Sequence, residues 1–453
     1  PYANIRTLCD RIHLIHHLRR PLIMKITHAE SFALNIPFYA KRVTRAMQRA
    51  QTHDERVWVV RLETDKGLVG WADSHYPVAA YGYGISISDS IVTAHGRPET
   101  KGLVGQNPAA IMHRDEIGFG PQVACYDLVG QDQGVPVHAL LGVKLRDRCP
   151  ISWWDIDMPA ADWAAEAKES LKRGYTTFKM KARPWRDIIT QTNTVSKVVP
   201  DDYKFDVDFN GFLLNQARAE IVLQKLDENR NVGIYESPFY MHQDVDGARL
   251  LRERVRKPIV EHYQAQYLRN DCSDGFVLGG GATDTRRQAT LAAAHNKPFW
   301  LQLVGSGLTT TYAAHLGSVL SHAQLPYITC HELWVDDLLK KPIAVQDGYM
   351  PVPDTPGLGA PVDEKAIAKY RVDPEEPTPK QRYRAQKRIL RINWPAGGHK
   401  KRIWEFTDEG NYQTSFYAGN IPGFETGVDL EVIEDDKSAA FKKRHAQLLQ
   451  QGR

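Results

Sequence analysis

Two lysines separated by a single residue, Lys179 and Lys181, lie in a segment, residues 176–181, that has the composition of a β-strand. Because side chains alternate across a strand, both ammonium groups are expected on one face. Like charges held close together lower each other's pKa, and partial burial lowers it further. A lysine with a lowered pKa can act as a general base near neutral pH. The spacing therefore predicts proton-transfer chemistry at this strand.

A carboxylate ends each of the next three candidate strands: Asp208, Glu236 and Glu261, at intervals of 28 and 25 residues, or about one strand–helix unit. Mg2+ in proteins usually binds carboxylates together with substrate and water oxygens. A single acid at the end of a strand is more often a salt-bridge partner. Three in succession after the paired lysines instead favour a site for one metal ion.

Eight apolar segments alternate with amphipathic helical stretches, which favours a parallel (β/α) barrel. In such a barrel the chemistry lies at the C-terminal ends of the strands, and the lysines, the three acids and Glu332 fall there. The candidate strands are residues 151–155, 176–181, 204–208, 233–236, 258–261, 275–278, 299–303 and 327–332.

The chain outside the predicted barrel falls into segments of different composition. A strand-like segment begins at Met24, which we expect to be the natural start. The C-terminal part is expected to be a solvated basic appendage, with an oligomer contact or an acidic partner as the alternative. The predicted organisation is an N-terminal extension (1–23), an α+β capping domain (24–148), the barrel (149–340), a segment returning to the capping domain (341–370) and a C-terminal extension (371–453).

The composition is that of an ordinary globular protein, with 42% hydrophobic and 25% charged residues and a net charge of +4. Nothing in this balance calls for a nucleic acid or a membrane, and no apolar run approaches the roughly 18 residues of a membrane-spanning helix. The five cysteines have no paired spacing. They indicate reduced thiols, and therefore a cytoplasmic protein.

Several motifs occur in order at the spacing of barrel units: residues 174–181, 206–211 and 235–238, with weaker support from 140–147 and 356–359. In these motifs, the chain resembles the enolase superfamily in its mandelate racemase and muconate lactonizing branch, and the resemblance covers residues 24–365. The resemblance implies a modified TIM (β/α)8-type barrel with an N-terminal α+β capping domain. It also implies removal of the proton α to a carboxylate, with one Mg2+ ion stabilising the enediolate.

The resemblance also implies roles for individual residues. Asp208 and Glu236 would be metal ligands. Lys181 would be the base, and Lys179 would lower the pKa of Lys181 and contact the substrate carboxylate. Asn210 would lie beside the metal and the substrate. Loops near residues 37–42 and 74–83 would cap the barrel and help to set specificity.

The chain departs from the family pattern at two places. The third acid usually follows the first proline of its strand by about five residues, whereas Glu261 follows Pro258 by three. Glu261 remains the expected third ligand if the strand is shifted, and His262 is expected to face away. The seventh strand has Gln302 where many relatives have a histidine base. With no opposing base, chemistry that needs one base is favoured.

Further residues are expected around the substrate. Glu332 would be either a neutral acid that donates a hydrogen bond to the enediolate, or a carboxylate paired with a lysine. Trp153, Asp155 and Gln302 would line the substrate site together with Asn210. Tryptophans near the mouth could equally pack the capping domain onto the barrel.

The favoured function is a dehydratase, a lyase that acts on an acid sugar or a similar small carboxylic acid. The alternatives are a cycloisomerase or epimerase of the same superfamily, and a catalytically degenerate barrel that binds a ligand or partner. Assembly into a homo-oligomer is expected, because relatives commonly assemble.

Overall fold

The computed structural model describes residues 23–50, 53–74, 97–395 and 402–453. The predicted N-terminal extension and most of the predicted loop at 74–83 lie outside these residues. The strands are β1 Ile26–Asn35, β2 Arg56–Thr64, β3 Val69–Ser74, β4 Arg148–Pro150, β5 Trp153–Ile156, β6 Thr177–Lys181, β7 Lys204–Asp208, β8 Val232–Glu236, β9 Ile259–His262, β10 Gly275–Leu278, β11 Phe299–Leu301, β12 Tyr349–Pro351, β13 Arg371–Val372, β14 Arg388–Trp394, β15 Arg402–Phe406 and β16 Asp429–Glu434.

The helices alternate with the central strands, as the sequence predicts. The α-helices are α1 Lys41–Arg49, α2 Pro108–Ile111, α3 Phe119–Gln133, α4 Val137–Leu141, α5 Ala160–Lys172, α6 Ile188–Ser196, α7 Gln216–Asp227, α8 Val245–Arg254, α9 Ala265–Arg269, α10 Ala282–Ala294, α11 Gly307–Ser318, α12 Glu364–Tyr370, α13 Pro379–Arg384, α14 Glu409–Tyr417 and α15 Ala439–Gln450. Asp115–Ile117 and His331–Leu333 form short 3-10 helices.

The N-terminal α+β unit is an antiparallel sheet, in the order β13–β1–β2–β3, with helix α3 buried beside it. The buried Asp127 carboxylate of α3 accepts hydrogen bonds from the Trp71 amide at 3.1 Å and the Leu358 amide at 2.9 Å. Gly357 adopts a φ of +73°, and a Cβ atom there would lie 2.3 Å from the Asp127 carboxylate. The return segment therefore needs a glycine to dock on this unit.

The central domain is a sheet of seven parallel strands in sequence order, from β5 to β11. Parallel strands joined by helices are buried on both faces, which explains their largely apolar sequences. This arrangement confirms the predicted modified (β/α) barrel with an N-terminal α+β domain. The polar residues of the strands lie towards their C-terminal ends, where the loops leave the sheet.

The predicted eighth strand, residues 327–332, is wrong in its extent. Tyr327 and Ile328 make only single bridges, to Ile151 beside β5 and to Gln302 beside β11. These bridges close the ring between the two outer strands. Cys330 then adopts a left-handed φ of +59°, and the 3-10 helix begins at the next residue. An extended strand cannot continue through that conformation.

The C-terminal extension is folded, which corrects the expectation of a solvated appendage. Strands β14, β15 and β16 form an antiparallel sheet, and helices α14 and α15 accompany it. Tyr412 and Phe416 of α14 are fully buried. Their rings pack on Trp185 and Phe212, which follow barrel strands β6 and β7. Sequence composition missed this because the packing partners lie about 200 residues earlier in the chain.

Four of the cysteines, Cys125, Cys149, Cys272 and Cys330, are buried free thiols. Within the ranges that the structure describes, no helix is both long and apolar enough to cross a membrane.

The buried ring of Phe416 gives a test of this docking. We expect Phe416→Ala to lower the free energy of unfolding by about 3–5 kcal/mol, because it leaves a cavity at the junction with the barrel. The measurement is the shift in the urea or thermal midpoint, followed by near-UV circular dichroism. Thr414→Ala, on the exposed side of the same helix, is the matched control and should leave the midpoint close to that of the wild type. Equal midpoints for Phe416→Ala and the wild type would contradict the docking.

Candidate active site

The two lysines and two of the acids share one face of the parallel sheet. In the register of β6 and β7, Lys181 lies beside Asp208, and in that of β7 and β8, Asp208 lies beside Glu236. Neighbours in a parallel register point to the same face. The face is the barrel interior, because Lys179 reaches across it to Gln302, at the end of β11 on the far edge of the sheet.

Lys179 is wholly buried and bonded to three side chains. Its ammonium forms a short ion pair with Glu236, lies 3.5 Å from Asp208 Oδ2 and donates a 2.9 Å hydrogen bond to Gln302 Oε1. The same nitrogen lies 5.1 Å from the centre of the Trp300 ring. Burial acts to lower the pKa of Lys179, but attraction to Glu236 and Asp208 outweighs it, and the pKa is raised. Lys179 is therefore held as a cation.

Lys181 forms a short ion pair with Asp208 and donates to Asn210 Oδ1 at 3.3 Å. Burial lowers the pKa of Lys181, and repulsion from Lys179 adds to that effect, so the pKa lies below the usual lysine value although Asp208 opposes the shift. Burial alone would raise the pKa of the Asp208 carboxyl, but the two lysines hold it below its usual range. Of the two lysines, Lys181 is thus the one that loses its proton more readily.

The two inward-facing carboxylates offer the oxygen ligands that a hard cation prefers. Asp208 and Glu236 lie on adjacent strands and are fully buried. Glu236 Oε1 has no hydrogen-bond partner, and His262 Nε2 lies 3.5 Å from it. In the described part of the chain, no group of three acid, cysteine or histidine side chains is already arranged to hold a metal ion. Two buried carboxylates, one of them with an unsatisfied oxygen atom, fit the ligand preference of Mg2+.

His262, and not Glu261, faces the barrel interior. The β9–β10 register pairs His262 with Val277, which pairs in turn with the inward-facing Trp300. Glu261 lies on the opposite face, where its Oε1 atom accepts from the Ser237 hydroxyl at 2.7 Å. Burial raises the pKa of Glu261 to about 7. The structure thus places the predicted third acid away from Lys179 and Lys181, and brings a histidine to Glu236 instead.

Trp153 and Asp155 also lie on the face opposite the lysines. In the β5–β6 register it is Trp154, not Trp153, that pairs with Lys179. Trp153 is buried, and its Nε1 atom donates to Glu166 of α5 at 3.0 Å. Asp155 is fully buried, and burial raises its pKa well above the usual value. Trp153 packs the barrel against its first helix and does not line the site.

Glu332 lies in the 3-10 helix that follows the closing bridges. Its Oε1 atom accepts from the Trp154 amide at 2.8 Å, and its Oε2 atom is buried without a hydrogen-bond partner. Burial raises the pKa of Glu332 to about 8. His331 Nδ1 lies 3.5 Å from Oε2, and no described lysine forms an ion pair with Glu332. The geometry favours the neutral acid among the two expected states of Glu332.

Sequence reasoning overlooked two charged residues beside the lysines. Asp206 pairs with Lys179 in the register and faces the interior, and burial raises its pKa to about 7 although Lys179 opposes the shift. Asp206 lies two residues before Asp208, so the alternation of side chains along a strand predicts that both face the same side. Arg183, two residues beyond Lys181, donates from Nη1 to Asn210 Oδ1 at 3.2 Å. No strand period extends to it, because it lies in the loop after β6.

Comparison with known proteins identifies similar chains. Residues 162–366 match the family model described as enolase C-terminal domain-like. The chain is 25% identical to an N-succinyl-L-Arg/Lys racemase of Bacillus cereus, over 52% of this chain and 65% of the racemase. It is 26% identical to a D-gluconate dehydratase of Thermoproteus tenax, over 56% of each protein. These two alignments thus span less than two thirds of either relative.

A muconate cycloisomerase of Pseudomonas putida is matched more fully, with 26% identity over 72% of this chain and 92% of the cycloisomerase. Among solved structures, a mandelate racemase/muconate lactonizing family protein of Azoarcus sp. EbN1 superposes with a TM-score of 0.62 and 26% identity, over 78% of this chain and 98% of that protein. The family model, the relatives and the solved structures together support a member of the enolase superfamily, of the mandelate racemase and muconate lactonizing type.

Proposed function

We propose that the chain removes the proton α to a carboxylate of a small acid, and that it then eliminates water as a dehydratase of an acid sugar or a similar compound. The observation that carries this proposal is the pair of inward-facing lysines, each bonded to a buried acid, with the pKa lowered at Lys181 and raised at Lys179. One lysine is thus suited to accept a proton and the other to remain charged.

In this mechanism Lys181 takes the α-proton on its Nζ atom. Lys179 stays cationic and attracts the substrate carboxylate. Neutral Glu332 would donate a hydrogen bond to negative charge that develops on the substrate. A divalent cation, which superfamily members typically use, would be held by Asp208 and Glu236 and would stabilise that charge further. The buried ring of Trp300 lies 5.1 Å from the Lys179 nitrogen, which is itself buried.

Elimination is favoured over racemisation because the strand on the far edge of the sheet from β6 ends at an amide and not at an ionisable side chain. Gln302 stands at the end of β11 and uses its oxygen to accept from Lys179. An amide cannot exchange a proton with a substrate carbon at neutral pH. In a syn elimination, the protonated Lys181 returns its proton to the β-hydroxyl group as the C–O bond breaks and water leaves, so one residue serves as base and acid.

A cycloisomerase is the second candidate, since it too can use one base. The muconate cycloisomerase is matched over 92% of its length, more than the gluconate dehydratase, and this favours it. A barrel that binds a ligand without turnover is the third. Both enzymatic candidates act on a small carboxylate. We also propose that the protein works in the cytoplasm and assembles into a homo-oligomer.

Replacing the base gives the first test of the function. We expect Lys181→Ala to reduce exchange of the substrate α-proton with deuterium by about 10²–10⁴-fold, because general-base catalysis is lost. Exchange is measured by NMR in D2O across a library of acid sugars and N-acyl amino acids. Lys172→Ala removes a lysine that is 79% exposed and should exchange like the wild type. Undiminished exchange in Lys181→Ala would mean that another group is the base.

The metal site gives a second test. We expect Glu236→Gln to weaken Mg2+ binding at least tenfold, because an amide oxygen lacks the charge that holds a hard cation. Isothermal titration calorimetry measures the affinity. Glu228→Gln, at a side chain that is 76% exposed, is the control and should bind like the wild type. Absence of saturable Mg2+ binding by the wild type would favour the non-catalytic barrel.

Glu332 gives a pH-dependent test. With a folded-state pKa of about 8 against an ordinary value of 4.5, Glu332 keeps its proton while the unfolded chain loses it, so folding is penalised increasingly as pH rises between these values. Glu332→Gln removes this penalty. We expect the melting temperature of Glu332→Gln, relative to the wild type, to rise from pH 5 to pH 8 in metal-free buffer. A constant difference across this window would rule out the raised pKa.

A further inference from the structure

Arg183 stands at the open end of the barrel, just beyond strand β6 and the proposed base. Its Nη1 atom donates to Asn210 Oδ1 at 3.2 Å, and the Lys181 ammonium donates to the same oxygen at 3.3 Å. One shared acceptor atom thus separates the guanidinium from Lys181. A group bound to Arg183 would lie beside the proton-transfer site.

In the described structure, no carboxylate contacts the Arg183 guanidinium. Its hydrogen-bond acceptors are the Asn210 amide oxygen and the Ala182 carbonyl, the latter at 2.7 Å, and both are neutral. Asp157 and Asp208 act on it only at longer range, and burial outweighs them, so the pKa of Arg183 is lowered. In the part of the chain that the structure describes, Lys179 and Lys181 each have a carboxylate partner, whereas Arg183 forms no ion pair.

The C-terminal unit fixes the position of this guanidinium. The Arg183 Cζ atom lies 5.4 Å from the centre of the Phe212 ring. Phe212 in turn stacks on Tyr417 at the end of α14, with centroids 5.9 Å apart and an interplanar angle of 16°. Tyr417 lies beyond the residues that match the family model, so this support belongs to the extension of this chain.

The loop that carries Arg183 is also bonded to the C-terminal unit along its outer side. The Phe424 amide donates to the Pro184 carbonyl at 2.8 Å, and the Gly427 amide donates to the Asp187 carboxylate at 3.0 Å. A guanidinium held in one place loses little conformational freedom when it binds. Its planar fork is suited to a carboxylate, which it can bind through two parallel hydrogen bonds.

We propose that Arg183 is a specificity-determining residue that binds a second anionic group of the substrate, so that the site selects small acids with two carboxylates. The proposal rests on the proposed function, because the first carboxylate is the one adjacent to the proton that Lys181 removes. Tyr417 is a positioning residue in this scheme, since it acts through Phe212.

Matched pairs of acids test the proposal on the full chain. D-glucarate differs from D-gluconate only in a second terminal carboxylate, and N-succinyl-L-alanine differs from N-acetyl-L-alanine only in a carboxymethyl group. Affinities are measured by calorimetry in the presence of Mg2+. We expect the wild type to prefer the dianion of at least one pair by about tenfold or more, the effect of a charge-assisted bidentate contact.

The variants identify the group responsible. Arg183→Gln should bring the ratio of the two affinities close to one, and Arg183→Lys should retain part of the preference, since it keeps the charge without the fork. Wild-type protein without a preference in either pair, or an unchanged preference in Arg183→Gln, would overturn the proposal. Thermal melting checks that the variants are folded.

The role of Tyr417 is tested by rescue. Tyr417→Ala should reduce the preference for the dianion, and Tyr417→Phe, which keeps the stacked ring, should restore it. A merely structural role would lower the affinity for both members of a pair alike and leave their ratio unchanged.

Exchange of the α-proton in the same samples separates this proposal from the proposed function. Exchange of a monoanion by the wild type, without any preference for dianions, would overturn the role of Arg183 and leave proton abstraction intact. A dianion preference that depends on Arg183, with no exchange of any compound, would support the anion site and contradict the proposed reaction.

Discussion

Two ion pairs inside the barrel, Lys179 with Glu236 and Lys181 with Asp208, are the interaction on which the site depends. All four side chains are buried, and a buried charge is tolerated only when it is paired. Removing one partner from such a pair costs about 3–5 kcal/mol, because the other charge is left uncompensated. At Lys179 the attraction to the acids outweighs burial, whereas at Lys181 burial and repulsion from Lys179 outweigh it, so one lysine stays charged and the other can release its proton.

The parallel register of three adjacent strands creates these pairs. Lys181, Asp208 and Glu236 stand side by side because β6, β7 and β8 end at matching depths. The closing bridges of Tyr327 and Ile328 bring the outer strands together, which places Gln302 within reach of Lys179. The C-terminal unit packs on the loops that follow β6 and β7, so residues far along the chain support the segments that leave the site.

The sequence was sufficient for the features that follow a local period. Lys-x-Lys gives a shared face, and the spacing from Asp208 to Glu236 is one strand–helix unit, so both were predictable. Whether Glu261 or His262 faces inward was not, because that depends on the register with β8 and β10 and not on the residues of β9 alone. The docking of the C-terminal unit on distant loops left no local pattern, which is why its role could not be foreseen.

The most direct test of the account is the titration of the two lysines by NMR of the ¹³Cε-labelled protein, with assignment by Lys179→Arg and Lys181→Arg. Lys181 is expected to titrate below the ordinary lysine pKa of 10.5, and Lys179 above it. Because burial and the charged neighbours inside the barrel are the causes, the separation should be present without substrate. A Lys181 that titrates at or above 10.5 would contradict the assignment of the base.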